Sequence, residues 1–235
     1  MPGDATTTCW SCGTMRAVHF CSACGKVQPP VPVDYFSFFG LPRKLNIDHG
    51  LLEREFYNLS RKLHPDLYAQ ADSQEQEWSL EQSSQLNDAY RTLKDPIKRT
   101  QYLLRLEGVE LEEQSKTATE KARVTGEVKK QVVPPDLLEE VFDLNLQLEE
   151  LRMNQKTGED DPELTGELEA RKAEFEQKYA GLFEELKGCW SQWDKLVDAG
   201  NEAGRATLRD KMVDLLNRRN YIRNLVRDVN EALGN

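Results

Sequence analysis

Apolar residues recur along this chain at helical spacing, and almost nowhere at the alternating spacing of a strand. Leu52, Phe56, Leu59 and Leu63 step by 4, 3 and 4 residues and mark one helix face, with Asp48 placed to cap it. That helix must stop at His64, because Pro65 pushes the residue before it out of the α region. Upstream, Asp34 suits the cap of a short helix over 35–39, closed by Gly40 and Pro42. A third helix is expected over 74–93, with Leu86, Ala89, Tyr90 and Leu93 on one side. Asp95 and Pro96 break it, and a fourth over 97–106 ends at Gly108. Helices two and three, joined across the proline, should lie as an antiparallel pair.

The second half of the chain repeats the helical pattern on a longer scale. Leu137, Leu138, Val141, Leu144, Leu148 and Leu151 form one stripe, and the Gly158-bearing segment 156–162 interrupts it. Leu168, Phe175, Tyr179, Leu182, Phe183 and Leu186 form a second stripe, and Gly200 and Gly204 bracket a turn. Leu208, Met212, Leu215, Leu216, Ile222, Leu225, Val226, Val229 and Leu233 form a third. Three amphipathic helices with short returns predict a three-helix bundle. The expected organisation is all-α: a cysteine knuckle at 1–26, a proline-rich linker at 27–33, four helices at 34–108, a polar linker at 109–135 and the bundle at 136–235.

Composition narrows the function classes. Of 235 residues 31% are charged and 38% hydrophobic, and no run approaches the roughly 18 apolar residues of a membrane span. The net charge of −10 repels phosphate backbones, so neither a membrane nor nucleic acid is expected as a partner. The opening MPGDATTT has neither the basic and apolar regions of a signal peptide nor the arginines of a mitochondrial presequence. The expectation is a bacterial cytoplasm, with the mitochondrial matrix after loss of a leader as the alternative.

Chemistry concentrates in two places. Cys9 and Cys12, then Cys21 and Cys24, form two C-x2-C pairs within 16 residues, while Cys189 stands alone. A secreted disulfide scaffold would spread its cysteines through the chain. Four thiolates on tight turns suit a tetrahedral ion, and Gly13 and Gly25, each directly after its pair, suit the left-handed turn such knuckles need. Structural Zn²⁺ leads this reading, ahead of an iron–sulfur or redox centre and of disulfides. With four protein ligands no coordination position is left for catalysis. His19 is surplus as a ligand, and Cys189 reads as a packing residue.

The second place is His64-Pro65-Asp66. As chemistry it lacks a nucleophile or an open metal site to serve; as plain structure it is a helix end, with His64 as a C-terminal cation and Asp66 as a cap. Its context says more. DYFSFFGLP at 34–42, FYNLSRKLHPD at 56–66 and LNDAYRTLKDP at 86–96 resemble a J-domain, the four-helix module of DnaJ-type co-chaperones. With RTQYLLRLEGV at 99–109 and a three-helix bundle behind, the chain more closely resembles the HscB/Jac type of iron–sulfur cluster assembly, some members of which carry a tetracysteine knuckle in front.

The resemblance implies a non-enzymatic co-chaperone with two partners. One is a DnaK-type chaperone ATPase, contacted by His64, Pro65 and Asp66 as the triggering loop and by Arg54, Arg61 and Lys62 as a basic helix face. The other is an iron–sulfur scaffold protein, bound by the first long helix through Leu138, Phe142 and Asp143. Glu139 and Leu146 depart from the family's pattern there, and Leu146 extends the apolar patch. Self-association into a homodimer is a further possibility. The rival readings are a generic J-protein with another client, a zinc-ribbon regulatory protein, and a zinc hydrolase using His64 and Asp66, which the filled coordination sphere opposes.

Overall fold

The structure is a computed structural model of the chain and describes residues 8–14, 18–109 and 134–234. It divides into two compact units, Met1–Val109 and Glu110–Asn235. All but the ends of the linker expected over 109–135 lies outside the described residues.

The first unit is built on α1 (Tyr35–Phe38), α2 (His49–Leu63), α3 (Ser73–Lys94) and α4 (Pro96–Leu106). Side-chain caps open each helix. Asp34, Asp48, Asp72 and Asp95 accept hydrogen bonds from the first free N–H groups of α1 to α4 in turn, removing donors that no carbonyl can reach. Leu52, Leu63, Leu86, Ala89, Leu93, Leu103 and Leu104 fill the core with Phe36, Phe38 and Leu45. Phe56 stacks on Tyr90 with ring centroids 4.0 Å apart, joining α2 to α3. Tyr102 of α4 stacks on Tyr35, and its hydroxyl accepts the Tyr35 N–H at 2.9 Å. Between α2 and α3 the chain makes a tight 3-10 turn, Pro65–Tyr68.

The second unit is a bundle of α5 (Leu138–Thr157), α6 (Pro162–Asp198) and α7 (Glu202–Leu233). Leu137, Val141, Leu144, Leu148 and Leu151 meet Leu164, Leu168 and Phe175 of α6 and Tyr221, Ile222, Leu225 and Val229 of α7. Gly158 ends α5 at a φ of 75°, where a side chain would be strained. Two expectations are corrected. Leu138 leaves the core stripe and is 53% exposed, because α5 begins there and only its every-third-or-fourth positions from Leu137 face inward. Gly204 does not bracket the turn with Gly200: it lies in the first turn of α7 and donates its N–H to the Asn201 cap at 2.9 Å.

Candidate chaperone-docking loop and metal centre

The knuckle is two copies of one turn. Gly13 donates its N–H to the Cys9 carbonyl at 2.9 Å, and Cys9 donates to the Thr14 carbonyl at 2.7 Å. Gly25 donates to Cys21 and Cys21 to Lys26, both at 2.9 Å, in the same arrangement. Both glycines sit at a φ of 73°, which explains their place after each second cysteine. The four sulfurs lie within 4.8 Å of one another, with Cys9 and Cys24 3.7 Å apart and Cys12 and Cys21 3.5 Å apart. A tetrahedral ion with metal–sulfur bonds of ~2.3 Å separates its sulfurs by ~3.8 Å, so the set fits such an ion. Donors also face the sulfurs: the Ser11 N–H and the buried Gln28 amide each reach Cys9 Sγ at 3.4 Å.

Proton affinity is divided unevenly across the four thiols. The Thr14 hydroxyl, with backbone N–H groups, lowers Cys21 to about 6. At Cys24 the Lys26 N–H pulls downward, but burial and the neighbouring cysteines outweigh it and push the thiol up to about 11. Sulfurs this close cannot all ionise unless a cation joins them.

The knuckle is fastened to α3. His19 Nδ1 lies 2.8 Å from Gln82 Oε1, and its Nε2 donates to the Phe38 carbonyl at 2.9 Å. Gln82 in turn donates to the Gln28 carbonyl at 2.6 Å, with both glutamines fully buried. Lys26 pairs with buried Glu75 at 2.8 Å, and Trp10 meets Trp78 edge-on at 5.5 Å. Val27 and Gln28, which the prolines led us to expect within a linker, are therefore part of this packing. His19, surplus as a ligand, is a structural bridge. None of Gln82, Glu75, Trp78 or Gln28 stood out in the sequence, although Glu75, Trp78 and Gln82 share a helix face by their spacing.

At the far end of α2, His64 is extended at φ −61° and ψ 126°, as the following proline demands. Its Nδ1 accepts the Asp66 N–H at 3.3 Å, so His64 and not Asp66 is the local cap. The turn is braced from beneath: the Ser79 hydroxyl donates to the Leu63 carbonyl at 2.8 Å, and the Tyr68 hydroxyl to the Lys62 carbonyl at 3.0 Å. The side chains themselves face water, His64 at 56% and Asp66 at 89% exposure. Arg54, Arg61 and Lys62 are exposed on α2 and form no ion pair among the described residues.

On α5, Leu138, Phe142, Leu146 and Met153 stand exposed on the side away from the core, Phe142 at 64%. Asp143 lies beside them, 3.8 Å from Arg171 of α6. Cys189 is buried, and that burial raises its thiol pKa. No helix among the described residues is long and apolar enough to cross a membrane.

The family described as DnaJ domain matches residues 34–102, the span from the Asp34 cap through Tyr102. Residues 34–102 are a DnaJ domain. The chain is 40% identical over 107 residues to the iron–sulfur cluster co-chaperone protein HscB homolog of Arabidopsis thaliana, covering 45% of this chain and 42% of that one. It is 40% identical over 111 residues to the iron–sulfur cluster co-chaperone protein HscB of Mus musculus, covering 45% and 47%. It thus spans about half the length of the curated relatives it matches. The crystal structure of human co-chaperone protein HscB superposes with a TM-score of 0.62 at 23% identity, over 95% of this chain and 97% of that one. The helices of both units thus have the fold seen in that structure.

Proposed function

We propose that the chain is a co-chaperone that brings an iron–sulfur scaffold protein to a DnaK-type chaperone and stimulates its ATPase, with no catalytic role of its own. The observation that carries this reading is the braced yet exposed His64-Pro65-Asp66 loop at the end of a basic helix, inside a DnaJ domain. The loop's backbone is held by Ser79 and Tyr68 while its side chains stay in water, which is the arrangement of a surface made to be read by another protein. Arg54, Arg61 and Lys62 supply positive charge on a chain of net −10, so an acidic chaperone face is steered to that helix. Leu138, Phe142 and Asp143 on α5 serve as the scaffold contact, since an exposed apolar row on a soluble bundle marks an interface. Linking the two modules raises the scaffold's effective concentration at the chaperone.

The tetracysteine set holds Zn²⁺ as a structural ion, favoured by its all-sulfur tetrahedral donors. A compartment that keeps thiols reduced, bacterial cytoplasm or mitochondrial matrix, suits this centre. Single-turnover ATP hydrolysis by a DnaK-type chaperone, with and without scaffold, tests the reading. Stimulation that grows with scaffold and vanishes in His64→Gln at unchanged fold is the expected result. Stimulation indifferent to scaffold would leave a generic J-protein, and full stimulation by His64→Gln would remove the triggering role.

A further inference from the structure

Phe20 belongs to the knuckle, one residue before the ligand Cys21, yet its ring lies under a side chain of the chaperone-facing helix. The Lys62 ammonium stands 6.0 Å from the Phe20 ring centroid, within the reach of a cation–π contact. Both partners are fixed at their bases. Phe20 bridges to Val27 across the knuckle hairpin, and the carbonyl of its neighbour His19 accepts the Gln28 N–H at 2.9 Å. Lys62 sits in the last turn of α2, two residues before His64, with its carbonyl held by the Tyr68 hydroxyl at 3.0 Å. A free lysine stem samples many rotamers, and ordering it on binding costs affinity. Here the ring attracts the ammonium without neutralising it, as a carboxylate would.

We infer that Phe20 is a positioning residue of the chaperone-docking face: its ring orders the Lys62 ammonium, and the knuckle thereby takes part in chaperone recognition. This rests on the co-chaperone reading above. Phe20 acts through Lys62 alone, so it tunes the strength of docking and leaves the triggering by His64-Pro65-Asp66 untouched.

The test is a double-mutant cycle of Phe20→Leu and Lys62→Gln in chaperone ATPase stimulation by the full chain. Leucine keeps most of the apolar volume and removes the ring's quadrupole. In Phe20→Leu the concentration for half-maximal stimulation is expected to rise about two- to fivefold, with maximal stimulation unchanged. Phe20→Tyr is expected to retain wild-type docking. In the Lys62→Gln background Phe20→Leu should have no further effect, because its partner is gone. Metal content and thermal midpoint, measured alongside, should match the wild type. Wild-type stimulation with an unshifted half-maximum in Phe20→Leu overturns the inference alone, as do losses that simply add in the double variant. A fall in maximal stimulation or in metal content overturns it too, by showing a structural role. Absence of stimulation by the wild type overturns the co-chaperone reading and the inference with it.

Discussion

Gln82 offers the sharpest quantitative test of how the knuckle is held. Its side chain is 1% exposed and joins three segments: Oε1 to His19 at 2.8 Å, and Nε2 to the Gln28 carbonyl at 2.6 Å. Replacement by alanine deletes both bonds and leaves the buried Gln28 carbonyl and the half-buried His19 ring nitrogen without these partners. Each orphaned buried group costs about 1–3 kcal/mol, so with some relaxation the variant should lose about 2–4 kcal/mol. In a unit of this size 1 kcal/mol moves the midpoint by roughly 4–8 °C, so the transition of the first unit should fall by roughly 10 °C or more. Thermal unfolding followed by circular dichroism measures this on the metal-loaded chain. Ser84→Ala, on the same helix and outside these bonds, is the control and should stay within about 0.5 kcal/mol of wild type. A Gln82→Ala midpoint no lower than that of Ser84→Ala would refute the view that these bonds fasten the knuckle.

On α5, Leu144→Ala removes a fully buried side chain and should cost about 2–5 kcal/mol in denaturant unfolding, whereas Phe142→Ala should leave stability unchanged and weaken scaffold binding in calorimetry. Unchanged affinity would remove Phe142 from the docking face. At Asp34, burial pushes the carboxyl pKa up, but Arg43 at 2.8 Å and the Ser37 donors outweigh it and hold the pKa below 3.8. A carboxyl lowered by folding stabilises fully above its unfolded value and loses that contribution as pH falls through the lowered one. Arg43→Gln should therefore reduce stability at neutral pH, and its difference from wild type should fade below about pH 3.8; a difference undiminished at low pH would contradict this. Stripping the metal with a chelator should separate Trp10 from Trp78 and change tryptophan fluorescence, with recovery on adding one equivalent of Zn²⁺. A spectrum insensitive to chelation would show that the ion does not hold the knuckle to α3.

Local chemistry made much of this molecule legible before its structure. The caps at Asp34 and Asp48, the stop at Pro65 and the glycines after Cys12 and Cys24 act over a few residues, and all appear where the pattern placed them. Phe142, out of step with Val141 and Leu144, was readable as exposed for the same reason. Leu138 was misread because the stripe was extended past the point where helical phase begins. The clamp between knuckle and α3 was not legible at all: His19 and Gln82 are 63 residues apart, and Lys26 and Glu75 are 49 apart. A glutamine or glutamate on a predicted helix reads as solvated surface, and only a partner arriving from a distant segment makes it buried.

The composition of that clamp governs how the molecule behaves once the knuckle lets go. On the α3 side its polar members are Glu75 and Gln82, with Trp78 as the one large aromatic among the described contacts. An aliphatic interface, once opened, would offer other chains a sticky surface. This one would be hydrated instead, since the carboxylate of Glu75 and the amide of Gln82 both regain water as partners. Parting from the knuckle should therefore leave the helices monodisperse and ready to reclose, so that loss of the ion is a reversible event and not a route to precipitation.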